Sequence, residues 1–92
     1  MFFTLAALVA GVIFRITAIE WTVLVFIIGA IWSAEAANSA VERTVDLATT
    51  EQKPLAKAAK DLAAGAVLIL AICSVIIGLI IFLPKLIVMI MY

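Results

Sequence analysis

The stretch Ser33–Ala66, "SAEAANSAVERTVDLATTEQKPLAKAAKDLAAGA", decides how this chain folds. It holds every charged residue of the sequence except Arg15, Glu20 and Lys85, and long apolar runs lie on both sides of it. The whole chain has 92 residues, is 68% hydrophobic and carries a mean hydropathy of +1.39. A soluble domain of this size cannot take so much apolar surface out of water. The composition therefore implies one all-α membrane domain over residues 1–92, with the charged stretch as its polar junction.

Upstream of that junction, Thr17-Ala18-Ile19-Glu20 fits a capping box, with Thr17 as N-cap and Glu20 at N3. Ile16 and Trp21 stand where a hydrophobic staple would close over it. Ala18–Ala34 is apolar and covers roughly 25 Å as a helix, close to the hydrocarbon thickness of about 30 Å. The helical pattern runs on to Ala48, which gives an expected span over 18–48. Before it, the apolar run from Met1 has no basic n-region, so Met1–Ile16 is expected to be a short first span that begins without a leader.

Downstream, Pro54 suits the first position of a helix. Lys57, Lys60 and Asp61 fill its first turns, and Leu62–Leu83 is then uninterrupted apolar sequence, roughly 33 Å of helix. Pro84-Lys85 is expected to mark the far end of this third span, 54–83. The tail Leu86–Tyr92 either lies in the outer leaflet or continues as a kinked helix. The fold expected is three transmembrane helices, with the second and third extended on the cytoplasmic side.

Basic residues set the orientation. Arg43, Lys53, Lys57 and Lys60 lie on the connection, against Arg15 and Lys85 on the other side. The positive-inside rule puts the connection and Met1 in the cytoplasm and the C-terminus outside. Trp21 and Trp32 then fall near opposite interfaces. Six basic and six acidic residues cancel, so nothing points to nucleic acid. One cysteine, Cys73, and no histidine exclude a disulfide framework, a Cys/His zinc site and a histidine-assisted nucleophile. Neither glycine-rich phosphate motif is present.

Glu35, Asn38, Glu42 and Asp46 recur at helical spacing and fall within about 80° of one another on a single face. Aligned carboxylates repel, so positive charge should sit nearby: Arg43, Lys57, Lys60 or a divalent cation. Ala36, Ala37 and Ala40 on one side, and Ala56, Ala58, Ala59 and Ala63 on the other, allow close helix approach. Carboxylates are hard ligands for Mg2+, and a lysine neutralises phosphate. One further carboxylate could take a proton from an alcohol. The plainer reading is that these charges are solvated or paired at the ends of spans. Gly11, Gly29 and Gly78 are expected to be close-packing points between helices.

"EAANSAVERTVDL" (Glu35–Leu47) followed by "PLAKAAKDLAAGAVLI" (Pro54–Ile69) resembles the prokaryotic diacylglycerol kinase and undecaprenol kinase family. The resemblance covers about Met1 to Leu83. It implies a small homotrimeric lipid kinase of the bacterial inner membrane, a multi-pass protein whose active site faces the cytoplasm. Such an enzyme transfers the γ-phosphate of ATP, with Mg2+, to a membrane lipid alcohol. By motif position, Glu35 would be the general base and Glu42 would bind Mg2+. Asn38, Asp46, Lys60 and Asp61 would hold or orient the phosphates and their metal, and Glu51 would contact the adenosine part. The "KPLAKAAKDL" and "GLIIFLPK" segments favour undecaprenol over diacylglycerol.

Two departures from the family pattern stand out. Its N-terminal surface helix, with a further metal-binding Glu, is missing from these residues, and Lys53 stands where the family often has His. The alternative is therefore a truncated or inactive member acting as a three-span scaffold. A small multidrug-type transporter fits less well, because its single Glu lies deep in a span.

Overall fold

The computed structural model describes residues 2–92. It contains three helices: α1 (Phe2–Ile13), α2 (Ala18–Ala48) and α3 (Pro54–Met91). Met1, the first residue of the expected first span, lies outside the described residues. Helices α2 and α3 are each long and apolar enough to cross a bilayer, whereas α1 has 12 residues. Only 11% of the most apolar window of α2 and 6% of that of α3 is buried. A core helix of a soluble protein would hide that surface; here it faces outward, as hydrocarbon requires. The chain is a membrane protein.

The chain divides into two compact units, one running to Ile28 and including Cys73–Tyr92, the other Gly29–Ile72. The first holds the buried apolar core: Ile16, Leu24, Ile27 and Ile81. Leu24 and Ile27 are three apart and so lie on one stripe of α2. Phe14 meets Phe82 edge to face, with ring centroids 5.8 Å apart, an arrangement that adds about 0.5–1.5 kcal/mol beyond its buried area.

Local signals explain how α1 gives way to α2. The Ile16 N–H donates to the Gly11 carbonyl at 3.2 Å and the Arg15 N–H to the Val12 carbonyl at 3.3 Å, the two bonds of a Schellman motif. Its left-handed position is held by Arg15, at φ 52°. Glycine normally occupies that position, and a side chain there costs roughly 1–2 kcal/mol. The capping box then forms as expected. The Thr17 N–H donates to Glu20 Oε1 at 2.9 Å, and the Glu20 N–H to Thr17 Oγ1 at 3.2 Å. Ile16 is buried, and both it and Trp21 reach Gly11. A Cβ built on Gly11 would lie 2.6 Å from Trp21 Cη2 and 3.2 Å from Ile16 Cδ1. Gly11 is thus a close-packing point. Nothing lies within 4 Å of the corresponding positions on Gly29 and Gly78, which face open space in this chain.

Two expected boundaries change. The first apolar segment is helical only over Phe2–Ile13, because the Schellman turn intervenes before Ile16. The third helix does not stop at Pro84 but continues to Met91. Proline removes the bond its N–H would have given the Ile80 carbonyl, a defect that membrane helices tolerate. One residue beyond it, Lys85 Nζ donates to Glu20 Oε2 at 2.9 Å and stands 2.8 Å from Oε1, and so ties this turn to the start of α2.

Candidate functional site

The second unit contains the polar junction. It comprises the C-terminal part of α2, the connection between Ala48 and Pro54, and the first turns of α3. The connection is held by short-range bonds. The Thr49 N–H caps back onto the Val45 carbonyl at 2.9 Å, and the Glu51 N–H donates to Thr49 Oγ1 at 3.1 Å. The Lys53 N–H donates to the Glu51 carbonyl at 3.0 Å. The Lys53 carbonyl then accepts the first bond of α3, from the Lys57 N–H at 3.0 Å, and Pro54 follows as the first helical residue. Pro54 has no N–H to leave unsatisfied, so the sharp start of α3 carries little penalty.

Across this junction Lys60 Nζ donates to Asp46 Oδ1 at 2.6 Å, which clasps α2 to α3. Lys57 Nζ donates to Asp61 Oδ2 at 2.7 Å along α3 itself. Glu51 and Lys53 stand 3.8 Å apart in the connection. These side chains surround a cleft of about 380 Å³, lined by Asp46, Glu51, Lys53, Lys57, Lys60 and Asp61 among others. That volume is in the range of small-molecule sites. Lys57 and Lys60 precede the apolar segment that begins at Leu62. The hydrogen bond that Lys57 donates to Asp61 holds its ammonium above the ordinary pKa of 10.5. The hydrogen bond that Lys60 donates to Asp46, with smaller contributions from the charges of Asp46 and Glu42, does the same for Lys60. Both are cations at neutral pH, and all these pairs are open enough to water to exchange one anion for another.

Four of the seven residues singled out from the sequence, Asp46, Glu51, Lys60 and Asp61, line this one cleft. Glu35, Asn38 and Glu42 do not line it; they lie on earlier turns of α2, with Glu35 and Glu42 exposed. Asn38 is different: its side-chain oxygen is buried and has no hydrogen-bond partner. Such an orphaned acceptor is costly. The cleft also takes in Lys53 and Lys57, which the sequence reading considered only as a departure and a counter-charge. The signal for Lys57 is its place one turn before Asp61, the spacing of a helical ion pair.

These donors suit Mg2+ in one form. Among the described residues, no three His, Cys, Asp or Glu side chains come together to hold a metal unaided. Mg2+ commonly takes one or two carboxylates, with phosphate oxygens and waters completing the octahedron. The exposed carboxylate of Glu42 and the unpartnered Asn38 oxygen are hard donors of that kind.

No solved structure matches this chain. Two curated proteins do. It is 53% identical to an undecaprenol kinase of Bacillus subtilis, over 88% of this chain and 66% of that protein. It is 40% identical to a diacylglycerol kinase of a Synechocystis species, over 88% of this chain and 47% of that one. The chain thus spans just under two thirds of the first relative's length and about half of the second's. The sequence pattern of prokaryotic diacylglycerol kinase matches residues 1–82, and on that match this chain belongs to the prokaryotic diacylglycerol kinase family.

Proposed function

We propose that the protein is a lipid kinase that transfers the γ-phosphoryl group of ATP, with Mg2+, to a membrane lipid alcohol, undecaprenol before diacylglycerol. The observation that carries this reading is the cleft at the α2–α3 junction, where Lys53, Lys57 and Lys60 offer positive charge beside the acidic face of α2. Phosphoryl transfer rests on positioning and charge stabilisation, and it needs little else from the protein.

In this reading Lys60 and Lys57 release their carboxylate partners to neutralise the phosphates. Asp46 and Asp61 orient the incoming group, and Glu51 meets the adenosine part. Glu42, with Asn38, would hold Mg2+, which supplies charge neutralisation at the phosphate oxygens when bound. Glu35 takes the proton from the lipid hydroxyl. As the hydroxyl oxygen bonds to the γ-phosphorus, the bond to the bridging oxygen of ADP breaks and ADP leaves. The apolar helices keep the lipid hydroxyl at the interface, where ATP can reach it from water. The same reading takes the chain to cross the bacterial inner membrane three times, with the connection cytoplasmic, and to work as a homotrimer. The excess of basic residues on the connection supports the orientation.

The test is transfer of label from γ-labelled ATP in detergent micelles, with undecaprenol and diacylglycerol as separate acceptors, with and without Mg2+. It is run on the 92-residue chain and on a version extended by a family-like N-terminal segment. Product that requires Mg2+ is expected, with undecaprenol preferred. No product from either version would favour a three-span scaffold without turnover.

A further inference from the structure

The first unit carries a second cluster of charge that the kinase reading leaves unused. Arg15 and Lys85 edge an open groove of about 720 Å³ whose apolar lining includes Ile13, Phe14, Val88 and Met89. Glu20 pairs with Lys85 and offsets its charge. Lys85 Nζ, with three donors, donates to Glu20 Oε2 and lies 2.8 Å from Oε1, which leaves a donor over. Arg15 is exposed, and among the described residues its guanidinium makes no ion pair. Its backbone sits at φ 52°, where glycine would be at ease and an arginine is not. The turn therefore presents a free guanidinium from a position that disfavours any side chain.

We infer that Arg15 and Lys85 bind the phosphate of an anionic phospholipid headgroup, whose acyl chains lie along the groove between the end of α1 and the end of α3. The guanidinium fork matches phosphate oxygens in pairs, and the remaining Lys85 donor adds a point charge. A zwitterionic headgroup gains less, because its own cation meets the unpaired Arg15 guanidinium. The apolar lining distinguishes a lipid from a soluble anion, which would have no use for it. The sequence reading puts Arg15 and Lys85 on the same side of the membrane, at headgroup depth, where basic side chains draw anionic lipid. The site is separate from the polar junction and stands whether or not that junction turns over ATP.

Native mass spectrometry of the purified full chain in micelles tests this, with dioleoyl phosphatidylglycerol and dioleoyl phosphatidylcholine as probes and inorganic phosphate as competitor. The wild type should retain phosphatidylglycerol preferentially. Arg15→Gly should weaken that retention roughly fivefold, the share of one basic residue near a charged interface. It should leave phosphatidylcholine unchanged, and Arg15→Lys should keep most of the preference. Glycine suits the turn, so the Arg15→Gly variant should melt no lower than wild type in lipid-free micelles; Arg15→Gln serves as a second charge-removing variant. Equal retention of the two lipids by wild type, or undiminished preference in both charge-removing variants, would overturn the inference. Displacement of the lipid by excess inorganic phosphate would assign the cations to a soluble anion and overturn it equally.

Discussion

Two lysines, each paired with a carboxylate on another helix, show how differently the chain treats charge. Lys85 grips both oxygens of Glu20, and both side chains are largely covered, at 28% and 23% exposed. Around that pair the capping box and the Schellman turn satisfy their own backbone groups beside the buried Ile16 and Ile81, and Arg15 is the cation left without an ion pair among the described residues. Lys60 meets Asp46 through a single short bond, with 37% and 66% of the two side chains open. On earlier turns of α2 lie exposed Glu35 and Glu42 and the unpartnered oxygen of Asn38. A well-covered, doubly bonded pair is a fastening. An open, singly bonded pair can exchange its partner for another ligand.

That contrast breaks most sharply at Glu35. Glu35→Gln should lower transfer by at least about 100-fold, the usual share of a general base, while MgATP binding is kept. Glu42→Gln should weaken MgATP binding by roughly tenfold, as expected when a charge-assisted contact is lost; titration of nucleotide into the two variants separates the roles. In the first unit, Gly11→Ala would push a methyl group into Trp21, and overpacking of this kind costs roughly 1–3 kcal/mol. Thermal melting in detergent should show the loss with no preference for ligand.

Lys85→Met should also lower the melting temperature, because it leaves a largely covered Glu20 without its partner. The double variant with Glu20→Gln should recover part of that loss. Smallest is the effect of pH on the cleft. The folded pKa values of Lys57 and Lys60 are raised, so the stability their pairs contribute is fully present below the ordinary lysine value of 10.5 and is lost only as pH rises through the higher folded values. Melting curves from neutral to mildly alkaline pH should therefore show no loss from these pairs.

The sequence was most legible where one residue type answers one local need. Thr17 and Glu20 satisfy each other's N–H groups, and Pro54 opens α3, as their positions require. The motif residues Asp46, Lys60 and Asp61 converge because helical spacing and one short connection leave them little choice. Legibility failed where tertiary contacts overrule a local rule. Arg15 takes a glycine's conformation, and no local pattern announces that. Pro84 is read as the end of the third span, with a continuing helix as one of two placements for the tail, and it is the helix that continues, with Lys85 anchored to Glu20. Sequence alone leaves open whether Lys60 pairs with Glu42 or with phosphate, and in this chain the short bond falls to Asp46. Gly29 and Gly78 look like packing points in sequence, but within one chain nothing faces them.

The most direct test measures phosphoryl transfer to undecaprenol and MgATP binding on the same preparations of wild type, Glu35→Gln and Lys85→Met. The account predicts that Glu35→Gln binds MgATP but transfers at least about 100-fold more slowly, whereas Lys85→Met melts earlier yet, while folded, transfers at the wild-type rate. Full transfer by Glu35→Gln, or transfer abolished in folded Lys85→Met, would contradict the division between fastening and site.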